Sequence, residues 1–297
     1  MPKEKKKLVE SESADIKKVP EIEEKAIKEE LKEPKSSFDK EAWKPKTELG
    51  KKVKAGEITD IKDILDSGLR ILEPEIVECL MPDLTSDLLL IGQSKGKFGG
   101  GQRRVFRQTQ KKTREGNKPK FATMAVVGNE NGYFGLGYGK SKETVPAREK
   151  AQRNAKLNIT KIRRGCGSWQ CGCKEPHSIP FKVSGKCGST IIELKPAPKG
   201  TGLNTESECA KILKAAGIKD VWSQTRGQTK TKINLIDACL KALKQLIDTK
   251  TKPEHIGSLG IVEGAVKKEE EEITAPKPKL AKEEKKAEEQ KKTEEKK

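Results

Sequence analysis

Lysine and glutamate dominate both ends of the chain, and this confines any packed core to the middle. Of the 297 residues, 36% are charged, 32% are hydrophobic and only 4% are aromatic. Segments with so few large apolar side chains cannot bury enough surface to offset the entropy lost on folding. We therefore predict Lys/Glu-rich disordered extensions over residues 1–57 and 253–297, and a folded region between them.

The positive charge lies in the predicted folded region. The whole chain carries +18, of which residues 61–265 carry +16, whereas residues 1–60 and 266–297 carry +1 each. Such an excess favours a polyanionic partner, most commonly nucleic acid, with an anionic membrane surface as the competing interpretation. No run of 18 apolar residues is present to cross a bilayer, and the first residues lack the apolar core of a signal peptide. Seven cysteines, most of them isolated, favour a reducing, cytoplasmic compartment.

Hydrophobic periodicity predicts an α+β fold with two domains. Residues 58–162 read as two short helices followed by β-β-β-α, with Asn131-Gly132 in a hairpin turn and Ser141 capping the last helix. Residues 179–252 read as β-β-α-β-α, ending in the regular helix INLIDACLKALKQLI. Residues 163–178 form a Cys/His-rich junction between the two domains.

The most basic segment runs from residue 91 to residue 120 and carries ten lysines and arginines against one glutamate. Glycines and the aromatic residues Phe98 and Phe106 are interleaved with this charge, which favours a loop that approaches a phosphate backbone closely. The candidate RNA-binding residues in this segment are Lys95, Lys97, Gly99, Gly100, Gly101, Arg103, Arg104, Arg107, Lys111, Lys112 and Arg114.

The junction RRGCGSWQCGCKEPH contains a candidate metal site. Cys166, Cys171, Cys173 and His177 supply the Cys3His donor set that a structural Zn²⁺ takes. The C-x-C spacing departs from the usual C-x-x-C knuckle, so the residues also fit a tight linker with buried thiols, rigid through packing around Trp169. Both interpretations stay open. A catalytic zinc is not favoured because nothing nearby supplies a general base.

The stretch GLGYGKSKET fits neither common nucleotide-binding pattern. Phe134 stands where a Walker A loop needs its first glycine, and Lys140 stands where a dinucleotide fingerprint needs its third. Alternating glycine in a strand more often marks close backbone packing or a bulge, and we favour this structural interpretation over nucleotide binding. No catalytic constellation is present, so a metal-dependent enzyme is the weakest of three function classes.

Several ordered motifs together resemble the universal small-subunit ribosomal protein S-five family, called S-two in eukaryotes. They are GGGQRRVFRQ, MAVVGNENGYFGLGYGKSKET, RRGCGSW, KEPHSIPFKVSGKCGS, IIELKPAPKGTGL and AAGIKDVWSQTRG. The stretch RRGCGSWQCGC is closer to the archaeal branch than to the bacterial one. The resemblance implies an N-terminal domain like a double-stranded-RNA-binding domain and a C-terminal domain with a left-handed crossover. It also implies that Gly99–Arg104 contact RNA, with Lys140 and Lys142 following the glycine-rich strand. We add Arg163, Arg164 and Arg226 as further RNA candidates.

The resemblance implies a structural constituent of the cytoplasmic small ribosomal subunit that supports decoding fidelity. Its implied partners are small-subunit rRNA and a neighbouring S-four family protein. Messenger RNA is implied to lie nearby, in its entry channel. No membrane and no small-molecule substrate is expected. The alternative is a free-standing regulatory protein that binds double-stranded RNA.

Overall fold

The computed structural model describes residue 40, residues 42–96 and residues 101–265, with seven helices and eleven strands in those ranges. Contacts group Met1–Trp43 into one unit and Lys44–Lys297 into another, and all of these helices and strands belong to the second. The candidates Lys97, Gly99 and Gly100 and most of the two predicted extensions lie outside the described residues. Among the described helices, none is both long enough and apolar enough to cross a membrane.

The first sheet is built on one long antiparallel strand, β3. The second half of β3 pairs with β1 on one edge and with β4 on the other, whereas its first half pairs with β2. β5 closes the far side of β4. The strands are β1 (Thr85–Leu89), β2 (Arg107–Thr113), β3 (Gly116–Gly128), β4 (Tyr133–Ser141) and β5 (Ile159–Lys161).

Four helices accompany this sheet. They are α1 (Glu48–Ala55), α2 (Ile61–Asp66), α3 (Pro74–Leu80) and α4 (Thr144–Leu157). Helix α4 covers one face of the sheet, and α3 packs against α4, where Lys156 pairs with Glu78. The β1–β5 sheet is therefore packed on α4.

Strand β4 and helix α4 meet with glycine facing alanine. A Cβ atom added at Gly135, Gly137 or Gly139 would lie 2.1–2.2 Å from the backbone oxygen of an alanine in α4. The alanines that supply these oxygens, Ala147, Ala151 and Ala155, are fully buried. The alternating glycines therefore let two backbones approach closely, which is the packing role that the sequence predicted for GLGYG.

The second sheet has the order β7-β8-β10-β9. Its strands are β7 (Val183–Cys187), β8 (Thr190–Pro196), β9 (Leu203–Asn204) and β10 (Val221–Arg226), and only the β9–β10 pair is parallel. Helix α5 (Ser207–Ala215) connects β9 to β10, and helix α6 (Lys232–Asp248) packs on β7 and β8. The predicted β-β-α-β-α order is present with the short β9 added, and the hand of the β9–α5–β10 crossover stays a prediction.

The two sheets share one hydrophobic core, and α5 lies where they meet. Leu89 and Phe134 of the first sheet belong to the same cluster of buried side chains as Leu213 of α5 and Leu194 of the second sheet. At the end of α5, the Ala215 and Ala216 carbonyls accept hydrogen bonds from the backbone N–H groups of Glu130 and Gly132, at 3.0 and 3.1 Å. The two predicted domains are therefore joined by both apolar packing and backbone hydrogen bonds.

The prediction of disorder over residues 1–57 is wrong for its last part. Thr47 caps helix α1 by accepting a hydrogen bond from the Gly50 N–H through its side chain. The Glu73 carboxylate accepts two more, from the Lys46 and Thr47 N–H groups at 2.8 and 2.6 Å. The Thr47 cap and the buried Glu73 carboxylate thus order a helix whose own sequence is rich in lysine and glutamate.

The predicted C-terminal extension is also wrong over its first residues. Helix α7 (Pro253–Leu259) and strand β11 (Val262–Glu263) lie within 253–265. β11 pairs with β6 (Arg163–Arg164), and the Gly264 N–H donates to the Ile162 carbonyl at 3.0 Å. Strand pairing across a hundred residues of sequence supplies order that local composition does not indicate.

Two local predictions need correction. In the β3–β4 connection, positive φ occurs at Glu130 and Gly132 rather than at Asn131-Gly132, because the Asn129 side chain accepts from the Asn131 and Tyr133 N–H groups and closes the turn. Ser141 ends β4 instead of capping α4, whose N-cap is Glu143 without a side-chain hydrogen bond.

Replacing Gly137 with alanine tests the glycine–alanine contact. The added Cβ would lie 2.1 Å from the Ala151 oxygen and 2.2 Å from the Ala155 nitrogen, so the strand and helix must separate. We expect the free energy of unfolding in urea to fall by about 1–3 kcal/mol. Gly257→Ala is the control, since nothing lies within 4 Å of the added atom in α7. A Gly137→Ala protein as stable as this control would contradict the packing.

Candidate nucleic-acid interface and metal centre

The basic segment is largely a β-ribbon rather than the predicted loop. Residues 107–120, which we call the basic ribbon, comprise β2, a short turn and the first part of β3. Residues 116–120 of β3 pair with β2 alone and are exposed, as is nearly all of β2. The β2–β3 hairpin therefore extends beyond the other strands of the first sheet, with most of its side chains in water.

The register divides the ribbon into two unlike faces. Arg107 and Lys111 fall on one face together with Lys118 and Lys120, since paired residues and alternate residues share a face. The other face carries one paired basic residue, Lys112, and the amides Gln108, Gln110 and Asn117. Arg114 lies in the exposed turn.

Lysine stands directly opposite lysine on the basic face. Lys111 pairs with Lys118, and like charges in directly opposed positions destabilise a strand pair. The turn residue Glu115 forms an ion pair with Lys118 at 2.8 Å, but both side chains are more than half exposed, so the pair contributes little. A bound polyanion would remove this repulsion.

The root of the ribbon is fixed by backbone hydrogen bonds. Gly92 N–H donates to the Arg104 carbonyl and Lys95 N–H to the Gln102 carbonyl, both at 2.8 Å. Arg103 is half-buried and donates to the Lys230 carbonyl at 3.0 Å, so this candidate RNA ligand holds the root against the segment before α6. Lys95, Gly101, Arg104 and Arg107 are exposed around it.

A second group of lysines lies beside the ribbon. Lys140 and Lys142 line a surface groove of about 610 Å³ at the start of α4, together with Lys120 and Lys150. We call these four residues the lysine cluster. Lys120 and Lys150 were not among the sequence candidates. Ala122 pairs with Lys140, so the register of the β3–β4 hairpin brings Lys120, two residues earlier, to the lysine cluster.

Arg164, which the sequence offered as an RNA contact, is buried and bonded within the protein. Its side chain is 5% exposed, and its guanidinium donates to the Asn131 Oδ1 at 2.6 Å and to the Gly264 carbonyl at 3.1 Å. Arg163 is also engaged, donating to the Leu246 and Thr249 carbonyls at the end of α6 and to Glu263 of β11. Both arginines hold the junction to neighbouring elements. Arg226 is exposed at the end of β10.

The four predicted metal ligands do come together. Their donor atoms, three sulfurs and one imidazole nitrogen, all lie within 4.8 Å of one another. The Cys171 Sγ lies 3.8 Å from the His177 Nε2. Cys166 and His177 are buried, whereas Cys171 and Cys173 are half-buried. Trp169 is 89% exposed, which contradicts the alternative in which packing around it makes the junction rigid.

An aspartate that the sequence did not indicate orients the histidine. Asp220 is buried, and its Oδ2 lies 2.8 Å from the His177 Nδ1. Its Oδ1 accepts from the Gly200 and Gly202 N–H groups at 3.1 and 2.8 Å. Because a carboxylate can only accept, Nδ1 carries the proton, and Nε2 presents its lone pair to the cysteines.

The thiols in the cluster differ in acidity. Burial, aided by the neighbouring thiols of Cys173 and Cys171, raises the pKa of Cys166 to about 11. Hydrogen bonds from the backbone N–H groups of Lys199 and Cys173 lower the pKa of Cys171 to about 6. Backbone donors directed at a sulfur favour its thiolate form, which is the form that binds metals.

Comparison with protein families agrees with the two-sheet architecture. Residues 105–163 match the family model "Ribosomal protein S5, N-terminal domain", and residues 185–254 match "Ribosomal protein S5, C-terminal domain". The first match contains the ribbon, β4 and α4, and the second contains β8, α5 and α6. The cluster of Cys166, Cys171, Cys173 and His177 lies between the two matched ranges.

Relatives match over most of the chain. The protein named "Small ribosomal subunit protein uS5" of Nanoarchaeum equitans is 47% identical over 76% of this chain and 97% of its own length. The protein of the same name from Methanocaldococcus jannaschii is 48% identical over 77% of this chain and 99% of its own length. The one from Staphylothermus marinus is 49% identical over 71% of this chain and 93% of its own length.

Arg164→Met tests whether this arginine is structural. Loss of the guanidinium leaves buried acceptors such as the Gly264 carbonyl unpaired, so the free energy of unfolding should fall by about 1–3 kcal/mol per lost partner. At a temperature where the variant stays folded, the salt dependence of RNA binding should equal that of the parent chain. A stable variant with weaker, less salt-dependent binding would return Arg164 to the RNA interface.

Proposed function

The chain belongs to the small-subunit ribosomal protein uS5 family, and we propose that it binds small-subunit rRNA mainly through the basic ribbon and the lysine cluster. Family membership makes it a structural constituent of the small ribosomal subunit rather than a catalyst. The observation that carries the proposal is the ribbon itself, which is exposed, basic and extended beyond its parent sheet.

The two faces of the ribbon suit two kinds of RNA contact. The face with Arg107 and Lys111 offers four cations to phosphates, and binding there releases condensed counterions. The opposite face offers the amides of Gln108, Gln110 and Asn117, which both donate and accept and therefore suit ribose hydroxyls and base edges. One strand pair can thus neutralise one RNA backbone while it contacts the minor groove or a loop of another.

The electrostatics of the free protein support a polyanionic partner. A two-stranded ribbon exposed on both faces is only marginally stable by itself, and opposed lysines weaken it further. Repulsion between Lys111 and Lys118 therefore lowers the stability of the free chain. A phosphate between or beside the two ammonium groups would remove this repulsion and restore the stability.

We extend the proposal to the neighbours that the family resemblance implies. The protein would contact an S-four family protein, lie near the channel through which messenger RNA enters, and influence decoding fidelity. A free-standing regulatory RNA-binding protein is less well supported, since relatives matched over 93–99% of their own length carry a ribosomal name.

Lys111→Glu separates RNA binding from ribbon stability. The new carboxylate would face Lys118, and an opposite-charge cross-strand pair stabilises the ribbon by about 0.2–1 kcal/mol. Binding to purified small-subunit rRNA should nevertheless weaken, with the slope of log K against log salt reduced by about 1 for each lost phosphate contact. Fluorescence anisotropy over a salt series measures both quantities.

The matched control carries charge reversals away from the ribbon. Lys244→Glu together with Lys250→Glu changes two exposed lysines near the end of α6, and its salt slope should stay within about 1 of the parent chain. If Lys111→Glu binds as the parent does, or if the control weakens binding as much as Lys111→Glu combined with Lys118→Glu, the ribbon is not the principal interface.

Incorporation into ribosomes tests the proposal in the cell. We expect a tagged chain with Arg104→Glu and Arg107→Glu to co-sediment poorly with small subunits, while the control above co-sediments fully. Both arginines are exposed, so folding should be preserved. Full incorporation of the arginine variant would contradict the proposed interface, and absence of the parent chain from small subunits would favour the free-standing alternative.

A further inference from the structure

We propose that Cys166, Cys171, Cys173 and His177 bind one structural Zn²⁺ that fastens the junction between the two matched family ranges. The inference is independent of the RNA interface because it rests on other residues. It also assigns a role to the segment that neither family model covers.

The donor set and its spacing fit a tetrahedral ion. Zinc–sulfur bonds of about 2.3 Å place neighbouring donors roughly 3.8 Å apart in a tetrahedron. The Cys171 Sγ and His177 Nε2 already lie 3.8 Å apart, and all four donors lie within 4.8 Å of one another. The C-x-C spacing therefore does not prevent convergence, since the backbone turns at Lys174, which has a φ of 56°.

The outer shell is also that of a metal site. Zinc-bound histidines usually donate their second ring N–H to a carboxylate or carbonyl, which fixes the ring and its tautomer. Asp220 supplies this carboxylate at 2.8 Å, and two glycine N–H groups hold its other oxygen.

The site is closed, which favours a structural ion over a catalytic one. Three cysteines and one histidine fill all four positions of a tetrahedron, so no position is left for water or substrate. Cys166 and His177 are 3% and 5% exposed and form its inner side, and the half-buried Cys171 and Cys173 form its outer side.

The ligands are embedded in hydrogen bonds from both sides of the junction. The Cys166 N–H donates to the Leu259 carbonyl at the end of α7, at 2.8 Å. The His177 carbonyl accepts from the Lys219 and Asp220 N–H groups, just before β10, at 2.8 and 3.2 Å. One ion would thus fix a segment that follows the first sheet and is hydrogen-bonded to helix α7 and to the residues just before β10.

Metal analysis of the purified full-length chain tests the proposal. We expect one zinc per chain, and less than half of that after Cys171→Ser or Cys173→Ser, which are half-buried positions that leave the core intact. Cys187→Ser is the control, because Cys187 is equally half-buried but outside the cluster, and it should retain one zinc. Replacement by Co²⁺ should give the d–d and thiolate charge-transfer absorption of a tetrahedral thiolate site.

Asp220→Asn tests the positioning role without removing a ligand. An amide N–H₂ facing His177 would force the proton onto Nε2, and zinc affinity measured against a competing chelator should fall about 10–100-fold. Circular dichroism should show that the metal-free variant keeps the fold. The Lys111→Glu chain should still bind one zinc, and the Cys173→Ser chain should show the same salt dependence of RNA binding as the parent chain. The zinc proposal and the RNA-interface proposal can therefore fail separately.

Three outcomes would overturn the metal site. They are a folded parent chain without zinc that gives no cobalt–thiolate absorption, a disulfide among the three cysteines in the protein from cells, or zinc retained in full by both Cys171→Ser and Cys173→Ser.

Discussion

Helix α5 packs against both sheets, and the positions of the ribbon and the junction depend on that contact. Its buried side chains share one core with the strands of each sheet, and its C-terminal carbonyls accept hydrogen bonds from the β3–β4 turn. Gly217, which follows the helix, lies so close to this turn that an added Cβ would be 2.1 Å from the Glu130 oxygen. The chain then continues directly into Asp220, the residue that orients His177.

This contact fixes the position of the basic ribbon relative to the Cys/His-rich junction. The ribbon root is bonded to the segment before α6 through Arg103, and the junction is bonded to the end of α6 through Arg163. A protein that holds rRNA helices in one arrangement needs its cations at fixed separations, since phosphate contacts position a complex only if the scaffold is stiff. Arg163 and Arg164, which the sequence offered as RNA ligands, bond the junction to neighbouring elements.

The sequence predicted elements with strong local signals and missed those that depend on distant partners. GLGYG was correctly interpreted as structural because it fits neither nucleotide-binding pattern, and α6 was predicted because its apolar positions follow a helical period. Strand β11 and helix α1 were missed because their order comes from β6 and from Glu73, far away in sequence. Asp220 could not be connected with His177, 43 residues earlier, by any spacing rule. Arg164 was assigned to RNA because charge alone does not reveal burial.

Lysine reactivity in the assembled small subunit shows whether the basic ribbon faces rRNA. Mild acylation of intact subunits and of the free protein, followed by peptide mass spectrometry, compares the same side chains in both states. We expect strong protection of Lys111, Lys118, Lys120 and Lys140 on assembly, with Lys244 still reactive. Ribbon lysines that react equally in the subunit and in the free protein would contradict an rRNA interface built on the ribbon.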